Sequence, residues 1–177
     1  MITAAAARGF PALACTDTNA VYGAVEFQRA ALEAGIRPIL GAHLVLGDEE
    51  CVALAADESG WAAICRAITA IHWEAERRKG AMAQGEVAPS ALAPFRLSAL
   101  LAHDRAGALI LSASIPFLER ITALSGPGDV YAELRPGKER HAVLAAARRL
   151  GVPPVVTNAV MFAHPEDHAR HRLLRAI

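Results

Sequence analysis

Short apolar runs recur along the chain and are separated by segments with the periodicity of helices. A run of four to eight apolar residues bounded by turn residues is typical of a buried β-strand. The run Ala108–Ser112 does not alternate with polar residues, which favours a strand that is buried on both faces. Runs of this kind predict strands at 12–15, 38–46, 52–55, 108–112, 130–134 and 154–157.

Amphipathic helices are predicted between several of these strands. Apolar residues recur at offsets 0, 3, 4 and 7 from Trp61 and again from Val143, so each set shares one face of a helix. Gly151 ends the second of these helices, and Gly35 ends another that starts near Ala20. Alternating strands and helices predict an α/β layered or barrel fold, with parallel strands joined by helical crossovers.

The length and composition predict one domain. The chain has 177 residues, of which 54% are hydrophobic and 5% are aromatic, so its core must be built from Ala, Leu, Val and Ile. Residues 74–90 read as a charged helix end and a loop, and the strand–helix pattern resumes after them. Because no boundary is needed there, residues 1–177 are predicted to form a single domain.

Charge and cysteine content argue against several functions. Lys and Arg number 18, as do Asp and Glu, and a neutral domain is expected to contact DNA only indirectly. The three cysteines form no CxxC pair, which argues against a zinc knuckle and a disulfide framework. We see neither a signal peptide nor an apolar stretch of ~20 residues, so we expect a soluble, cytoplasmic protein without membrane contact.

Both ends of the sequence lack the capping residues that commonly begin and end a complete domain. The sequence starts in an Ala-rich segment before the first predicted strand, and it stops at Leu-Leu-Arg-Ala-Ile without a helix-ending signal. We expect a fragment of a longer chain, and a frayed terminus is the alternative.

Polar residues follow the predicted strands where each strand ends. In α/β folds the active site forms at the carboxyl ends of the strands, so these residues are the candidates for chemistry. The candidates are Thr16-Asp17-Thr18-Asn19, Gly41-Ala42-His43, Asp57-Glu58, Ser112-Ala113-Ser114, Glu133-Leu134-Arg135 and Thr157-Asn158-Ala159.

A second group of potential ligands lies near the C-terminus. His168 and His171 are three residues apart and share a helix face, which is an acceptable ligand spacing, and His164 lies nearby. Glu166 and Asp167 fall in the first turn of the predicted helix, where the helix dipole favours acids. We therefore favour a structural interpretation of this group over a metal site.

Three long stretches make the sequence resemble a known family. The stretch 16–27, TDTNAVYGAVEF, is similar to the second motif of polymerase-type PHP (polymerase and histidinol phosphatase) domains. The stretch 34–42, AGIRPILGA, is similar to the link into that family's third strand, and 156–167, VTNAVMFAHPED, matches a Thr-Asn-Asp-Val-His-Tyr-x-x-Pro-Glu-Asp pattern. The chain thus resembles the PHP domain of bacterial family C DNA polymerases, the DNA polymerase III alpha-type subunits and their error-prone relatives.

The resemblance implies a PHP-type distorted β/α barrel of the α/β class. In this family the first strand carries a His-x-His motif, which would lie before Met1, so the chain is expected to lack that strand. The family hydrolyses phosphoesters with two or three metal ions, which are held by His, Asp and Glu at the strand ends and activate a bound water.

Most of the family's metal ligands are replaced in this sequence. Asp17 matches the motif's Asp, but Thr18 stands where the family has His, and His43 stands where it has Glu. Ala159 and Met161 occupy the positions of a ligand Asp and of the final His, and neither suits a hard metal ion. We therefore predict only vestigial ligands, Asp17 and His43, with no catalytic residue and no cofactor. Asp17 is expected to cap the following helix instead.

Three functional hypotheses remain open. The leading one is a structural module, an N-terminal PHP-like domain of a DNA polymerase III alpha-type subunit that supports DNA replication or error-prone synthesis. Its partners would be the rest of the polymerase chain and the replication subunits, and the parent would be a DNA-directed DNA polymerase, a nucleotidyltransferase. The second is a metal-dependent phosphoesterase or 3′–5′ exonuclease of the PHP family, which would need Zn or Mn. The third is a decayed gene fragment.

Overall fold

The computed structural model describes residues 1–83, 95–158, 160 and 162–174. In chain order its elements are α1 (Ile2–Ala7), β1 (Ala12–Thr18), α2 (Ala24–Glu33), β2 (Arg37–Leu46), β3 (Glu49–Ala55), α3 (Glu58–Ala83), α4 (Leu97–His103), β4 (Ala108–Ser112), α5 (Ile115–Ser125), β5 (Val130–Leu134), α6 (Arg140–Leu150), β6 (Pro154–Val156) and α7 (Asp167–Leu174).

The strands form one six-stranded sheet in which the spatial order follows the sequence order from β1 to β6. The sheet curls into a half-barrel, which confirms the predicted mixed α/β barrel class. The curl brings the two ends of the sheet close together, since Arg8 Nη2, which precedes β1, donates a hydrogen bond to the carbonyl of Ala163, beyond β6, at 3.5 Å.

The prediction that all strands are parallel is wrong for β3, which runs antiparallel to both β2 and β4. The pairs β1–β2, β4–β5 and β5–β6 are parallel. The reversal occurs at the two-residue turn Gly47-Asp48, between the paired residues Leu46 and Glu49. Gly47 has a φ of +63°, which hairpin turns of this kind require and which glycine adopts without strain.

The predicted helices are present, with shifts at their ends. The helix expected from Ala20 begins at Ala24 and ends at Glu33. The helix that contains Trp61 extends to Ala83, so the first part of the charged segment 74–90 continues α3. Residues 84–90, where a loop was predicted, lie outside the described residues.

The main core lies between one face of the sheet and helices α3 to α6. Side chains alternate across a strand, so every second residue of β2 and β3 enters this core, including the fully buried Ala42, Leu44, Cys51 and Ala53. The intervening residues face the concave side of the half-barrel. Burial also raises the pKa of the Cys51 thiol, which is consistent with a reduced structural cysteine.

A buried acid joins the β2–β3 hairpin to helix α4. The Glu49 side chain is 1% exposed and accepts hydrogen bonds from the backbone N–H and the hydroxyl of Ser98, both at 2.8 Å. Its Oε1 also lies 2.7 Å from Arg120 Nε on α5. Glu49 therefore accepts a hydrogen bond in the first turn of α4, where the backbone N–H groups have no acceptor within the helix.

None of the helices in the described part of the chain is both long and apolar enough to cross a lipid bilayer.

Candidate functional site

A row of polar side chains crosses the concave face at the carboxyl edge of the sheet. It starts at the end of β1, where Thr18 Oγ1 lies 3.3 Å from His43 Nδ1, and these two residues are paired in the β1–β2 register. His43 Nε2 lies 3.6 Å from Glu50 Oε2 on β3, within ion-pair range but too far for a hydrogen bond. The first half of the row thus links β1, β2 and β3 through one histidine ring.

The second half of the row is centred on Arg135, directly after β5. Arg135 Nη1 lies 3.5 Å from Glu50 Oε1 on β3, and Arg135 Nε donates to Glu133 Oε2 at 2.8 Å. The other carboxylate oxygen of Glu133 accepts a hydrogen bond from the Thr157 hydroxyl, which follows β6, at 2.5 Å. The hydrogen bond to Glu133 raises the pKa of the Arg135 guanidinium, so the group is firmly cationic.

Asp17 is not part of this row. It pairs in register with Ala42, which is fully buried in the core, so Asp17 lies on the face of the sheet opposite to His43. Its Oδ2 accepts the backbone N–H of Gly23 at 3.3 Å, and Gly23 is the N-cap residue of α2. Asp17 therefore sits at the start of the helix, as expected, but it binds the amide of the N-cap residue and none in the first helical turn.

Asn19 extends the pairing of β1 with β2. Its side-chain amide accepts from the N–H of Val45 at 2.8 Å and donates to the carbonyl of Val45 at 2.9 Å. The side chain thereby makes the two hydrogen bonds that a backbone peptide of β1 would make if the strand continued. The backbone itself turns away at Asn19, where φ is +48°. His72 Nε2 of α3 lies 2.9 Å from the Asn19 carbonyl oxygen and fixes the turn further. This candidate has a structural role.

The prediction that Asp57-Glu58 joins the site is wrong. Because β3 is antiparallel, its carboxyl end lies at the opposite edge of the sheet. Asp57 Oδ1 accepts from Ser59 Oγ at 2.6 Å and from the N–H of Gly60 at 2.9 Å, at the start of α3. The hydrogen bond from Ser59 is the main reason that the pKa of Asp57 is lowered.

Sequence reasoning missed Glu50. This residue is the side chain that β3 adds to the polar row, and it lies at the start of the strand. The signal was present in Gly47-Asp48, because a short Gly-containing turn between two apolar runs predicts a hairpin. A hairpin at this point reverses β3 and brings its beginning to the carboxyl edge of the other strands.

The two serines at the end of β4 and just after it, Ser112 and Ser114, hold the backbone in place. Ser112 Oγ donates to the carbonyl of Glu50 at 2.8 Å and accepts the N–H of Ser114 at 3.1 Å. The Ser114 hydroxyl accepts the N–H of Phe117 at 3.4 Å and caps α5. Beside these residues a cleft of about 630 Å³ opens between the β2–β3 turn and the loop before α6, with Glu50, Glu133 and Arg135 in its lining.

The strand-end acids of the described residues are paired with a cation in place of a group of metal ligands. No group of three or more His, Cys, Asp or Glu side chains within the described ranges could hold one. The acids that do reach the strand ends, Glu50 and Glu133, are joined by a guanidinium, which is itself a cation and offers no lone pair. The substitutions Ala159 and Met161 lie outside the described residues, so their place at the site stays a prediction.

The C-terminal histidines likewise form no metal group in the described part of the chain. The His168 ring packs against Phe162, with ring centroids 5.7 Å apart, and helix α7 begins at Asp167. The side chain of His171 lies outside the described residues, and the structural interpretation of this group stays a prediction.

The curled sheet with polar residues along its carboxyl edge is the architecture of a PHP domain, and the chain belongs to that family. The PHP domain model matches residues 1–137, which is most of the sequence. The predicted family is therefore confirmed.

The curated relatives include error-prone DNA polymerases and DNA polymerase III alpha subunits. The chain is 38% identical over 202 residues to the error-prone DNA polymerase of Symbiobacterium thermophilum, matching 100% of this chain and 19% of that protein. It is 29% identical over 209 residues to DNA polymerase III subunit alpha of Escherichia coli K12, matching 100% of this chain and 17% of the subunit. The chain thus spans less than a fifth of the length of either relative.

Solved structures share the fold. An amidohydrolase from Chromobacterium violaceum superposes with a TM-score of 0.57 at 16% identity, covering 94% of this chain and 82% of the other. A Bifidobacterium adolescentis protein assigned as a metal-dependent phosphoesterase gives 0.56 at 15% identity, covering 99% and 90%. At these identities the similarity establishes the fold alone.

Proposed function

We propose that this chain is the PHP module of a DNA polymerase III alpha-type or error-prone polymerase, and that it supports the polymerase structurally without hydrolysing phosphoesters. Two findings favour the polymerase assignment: the family match, and relatives in which this segment is part of a much longer chain. The proposed role implies a cytoplasmic protein, with the rest of the polymerase and the replication subunits as partners.

The ion pairing of the strand-end acids is the observation that carries the non-hydrolytic part of the proposal. Metal-assisted hydrolysis needs several free oxygen or nitrogen ligands that converge on one ion. Glu133 uses one carboxylate oxygen for Arg135 and the other for Thr157. Thr18 offers a weak neutral oxygen, and its hydroxyl already lies against the ring of His43.

The charge of the chain supports indirect contact with DNA. A domain that binds the phosphate backbone by itself needs a surplus of Lys and Arg, and here the formal net charge is zero. We therefore assign DNA binding to other parts of the parent protein.

The biochemical test measures bound metal and hydrolysis on the purified chain. Elemental mass spectrometry is expected to find less than stoichiometric Zn or Mn, and a phosphodiester substrate is expected to stay intact with Mn²⁺ or Zn²⁺ added. Stoichiometric metal together with activity that is abolished by His43→Ala would instead identify a PHP phosphoesterase with substituted ligands. Asn158→Ala, another strand-end candidate with no assigned role, serves as the matched variant.

The assignment to a polymerase is tested separately on the genomic reading frame that surrounds the coding sequence. A downstream palm domain with paired Asp residues supports the proposed module. An upstream His-x-His followed by no palm favours the phosphoesterase, and stop codons on both sides indicate a decayed fragment. Either of the last two results would reject the polymerase assignment without bearing on the assay above.

A further inference from the structure

Arg135 connects parts of the sheet that do not touch each other. In the spatial order, β4 separates β3 from β5, and the residues of β4 carry no charged side chain. The guanidinium that follows β5 nevertheless reaches Glu50 on β3 at 3.5 Å, and it also contacts Glu133 on β5 with Nη2 at 2.7 Å. One side chain thus spans three neighbouring strands, at the edge of the sheet where β4 and β5 end and β3 begins.

Arg135 compensates the buried carboxylate of Glu133. Its side chain is 4% exposed, and burying an ionised carboxylate is unfavourable unless a cation and hydrogen-bond donors compensate it. Within the described part of the chain, Arg135 is the cation in ion-pair contact with Glu133, and Thr157 donates the remaining hydrogen bond. Arg135 itself is 32% exposed, so water shields it in part.

Glu50 connects Arg135 to His43 on β2, at the other end of the polar row. Glu50 Oε2 faces His43 Nε2 at 3.6 Å, while Glu50 Oε1 faces Arg135. The imidazole Nε2 is buried and has no hydrogen-bond partner among the described residues, and it faces the Glu50 carboxylate across this gap. Displacement of Arg135 would therefore disturb the row as far as β2.

We propose that Arg135 is the built-in counter-cation of the strand-end site, a positioning residue that holds Glu50 and Glu133 together. Carboxylates from different strands are commonly joined by a divalent cation, and here a covalently attached guanidinium joins them. The strand ends are therefore held independently of metal. This inference deepens the non-hydrolytic part of the proposed function and rests on it, but it does not depend on the assignment to a polymerase.

Thermal unfolding of single and double variants tests the proposal. Arg135→Ala leaves Glu133 buried without its cation and is expected to lower Tm by about 5–10 °C, a discounted value because Arg135 is partly exposed. Arg149→Ala is the matched control, because its 2.6 Å pair with Glu119 is exposed on both sides, and Tm should fall by less than about 2 °C.

The double variant Arg135→Ala/Glu133→Gln separates a counter-cation from a side chain that merely packs. Removing the carboxylate is expected to restore at least half of the Tm lost in Arg135→Ala, because the unpaired charge is gone. No recovery, or a loss in Arg135→Ala no larger than in Arg149→Ala, would overturn the proposal. Should Arg135→Ala fail to fold, Arg135→Gln, which shortens the side chain less but also removes the charge, replaces it in the same comparison.

Added Mn²⁺ gives a second readout that packing alone would not change. With the guanidinium removed, the two carboxylates are free to bind a divalent ion, so Mn²⁺ is expected to raise the Tm of Arg135→Ala and to leave wild type unchanged. An equal or larger rise in wild type would show that a metal occupies the site beside Arg135, and the proposal would be wrong.

Discussion

The contact between helix α3 and the loop before β4 is so close that it tolerates only glycine. A Cβ atom placed on Gly60, in the first turn of α3, would lie 1.8 Å from the carbonyl oxygen of Gly107 and 2.4 Å from its carbonyl carbon. Both are backbone atoms, so no side chain can rotate away. Gly107 cannot move freely either. Its φ is +73°, and the side chains of Asp57 and Ser59 lie directly against it, where a Cβ atom would be.

Gly60→Ala should therefore destabilise the protein, although alanine is the better helix former. Relief of the overlap requires the helix and loop to separate by more than an ångström, and overpacking of this kind costs about 1–3 kcal/mol. The separation also weakens the hydrogen bond from the N–H of Gly60 to Asp57, worth about 1 kcal/mol. Against this stands a gain of at most about 1 kcal/mol from helix propensity. We expect a net loss of about 2 kcal/mol, or about 4–8 °C in Tm.

Gly80 provides the matched control in the same helix. A Cβ atom there would meet nothing within 4 Å, so Gly80→Ala should stabilise the protein by about 0.5–1 kcal/mol. Urea denaturation followed by the helical circular dichroism signal gives the free energy of unfolding of both variants in the same experiment. The reasoning is refuted if Gly60→Ala is as stable as wild type, because the Gly60–Gly107 contact would then be looser than the structure has it.

Two further predictions concern acids. Glu49→Ala removes the acceptor of both Ser98 donors at the start of α4 and should lower the free energy of unfolding by about 2–3 kcal/mol; exposed Glu119→Ala should change it by less than about 1 kcal/mol in the same denaturation experiment, and equal effects would contradict the argument. The pKa of Glu74 is lowered in the folded protein, chiefly by the hydrogen bond from Arg77. Glu74 therefore stabilises the fold at pH values above the ordinary carboxyl pKa, and this stabilisation is lost as the pH falls through the lowered pKa. Tm should therefore drop on acidification below about pH 4.5, less steeply in Glu74→Gln, and parallel curves would refute it.

The strands were predictable because their signal is local. Two of them, Ala108–Ser112 and Val130–Leu134, have the predicted bounds. The first is apolar up to its last residue, as expected of a strand that is buried on both faces, and the second is apolar except for Glu133. The direction of β3 was not read correctly, because a parallel and an antiparallel strand have the same hydrophobic pattern. The distinguishing feature was the turn at Gly47-Asp48, and one reversed strand decides which of its ends reaches the site.

The candidate site was predictable only in part, because its contacts join residues far apart in the sequence. The rule that sites form where strands end selected five residues that the structure brings into one row, because the rule depends on position along each strand: Thr18, His43, Glu133, Arg135 and Thr157. It could not tell which of the selected residues share a face. Asp17 precedes Thr18 by one residue, and that single step moves its side chain to the helical side of the sheet.

The pairing of Arg135 with two acids could not be predicted from sequence, yet it changes how the proposed loss of metal ligands is interpreted. Had only the ligands been lost, the remaining acids would face each other without compensation, and the strand ends would repel one another. With the guanidinium between Glu50 and Glu133, the edge of the sheet is electrostatically satisfied without a metal. A site built in this way has a structural role of its own, since it joins β3 to β5, and mutations in it should be detected by stability before any effect on hydrolysis.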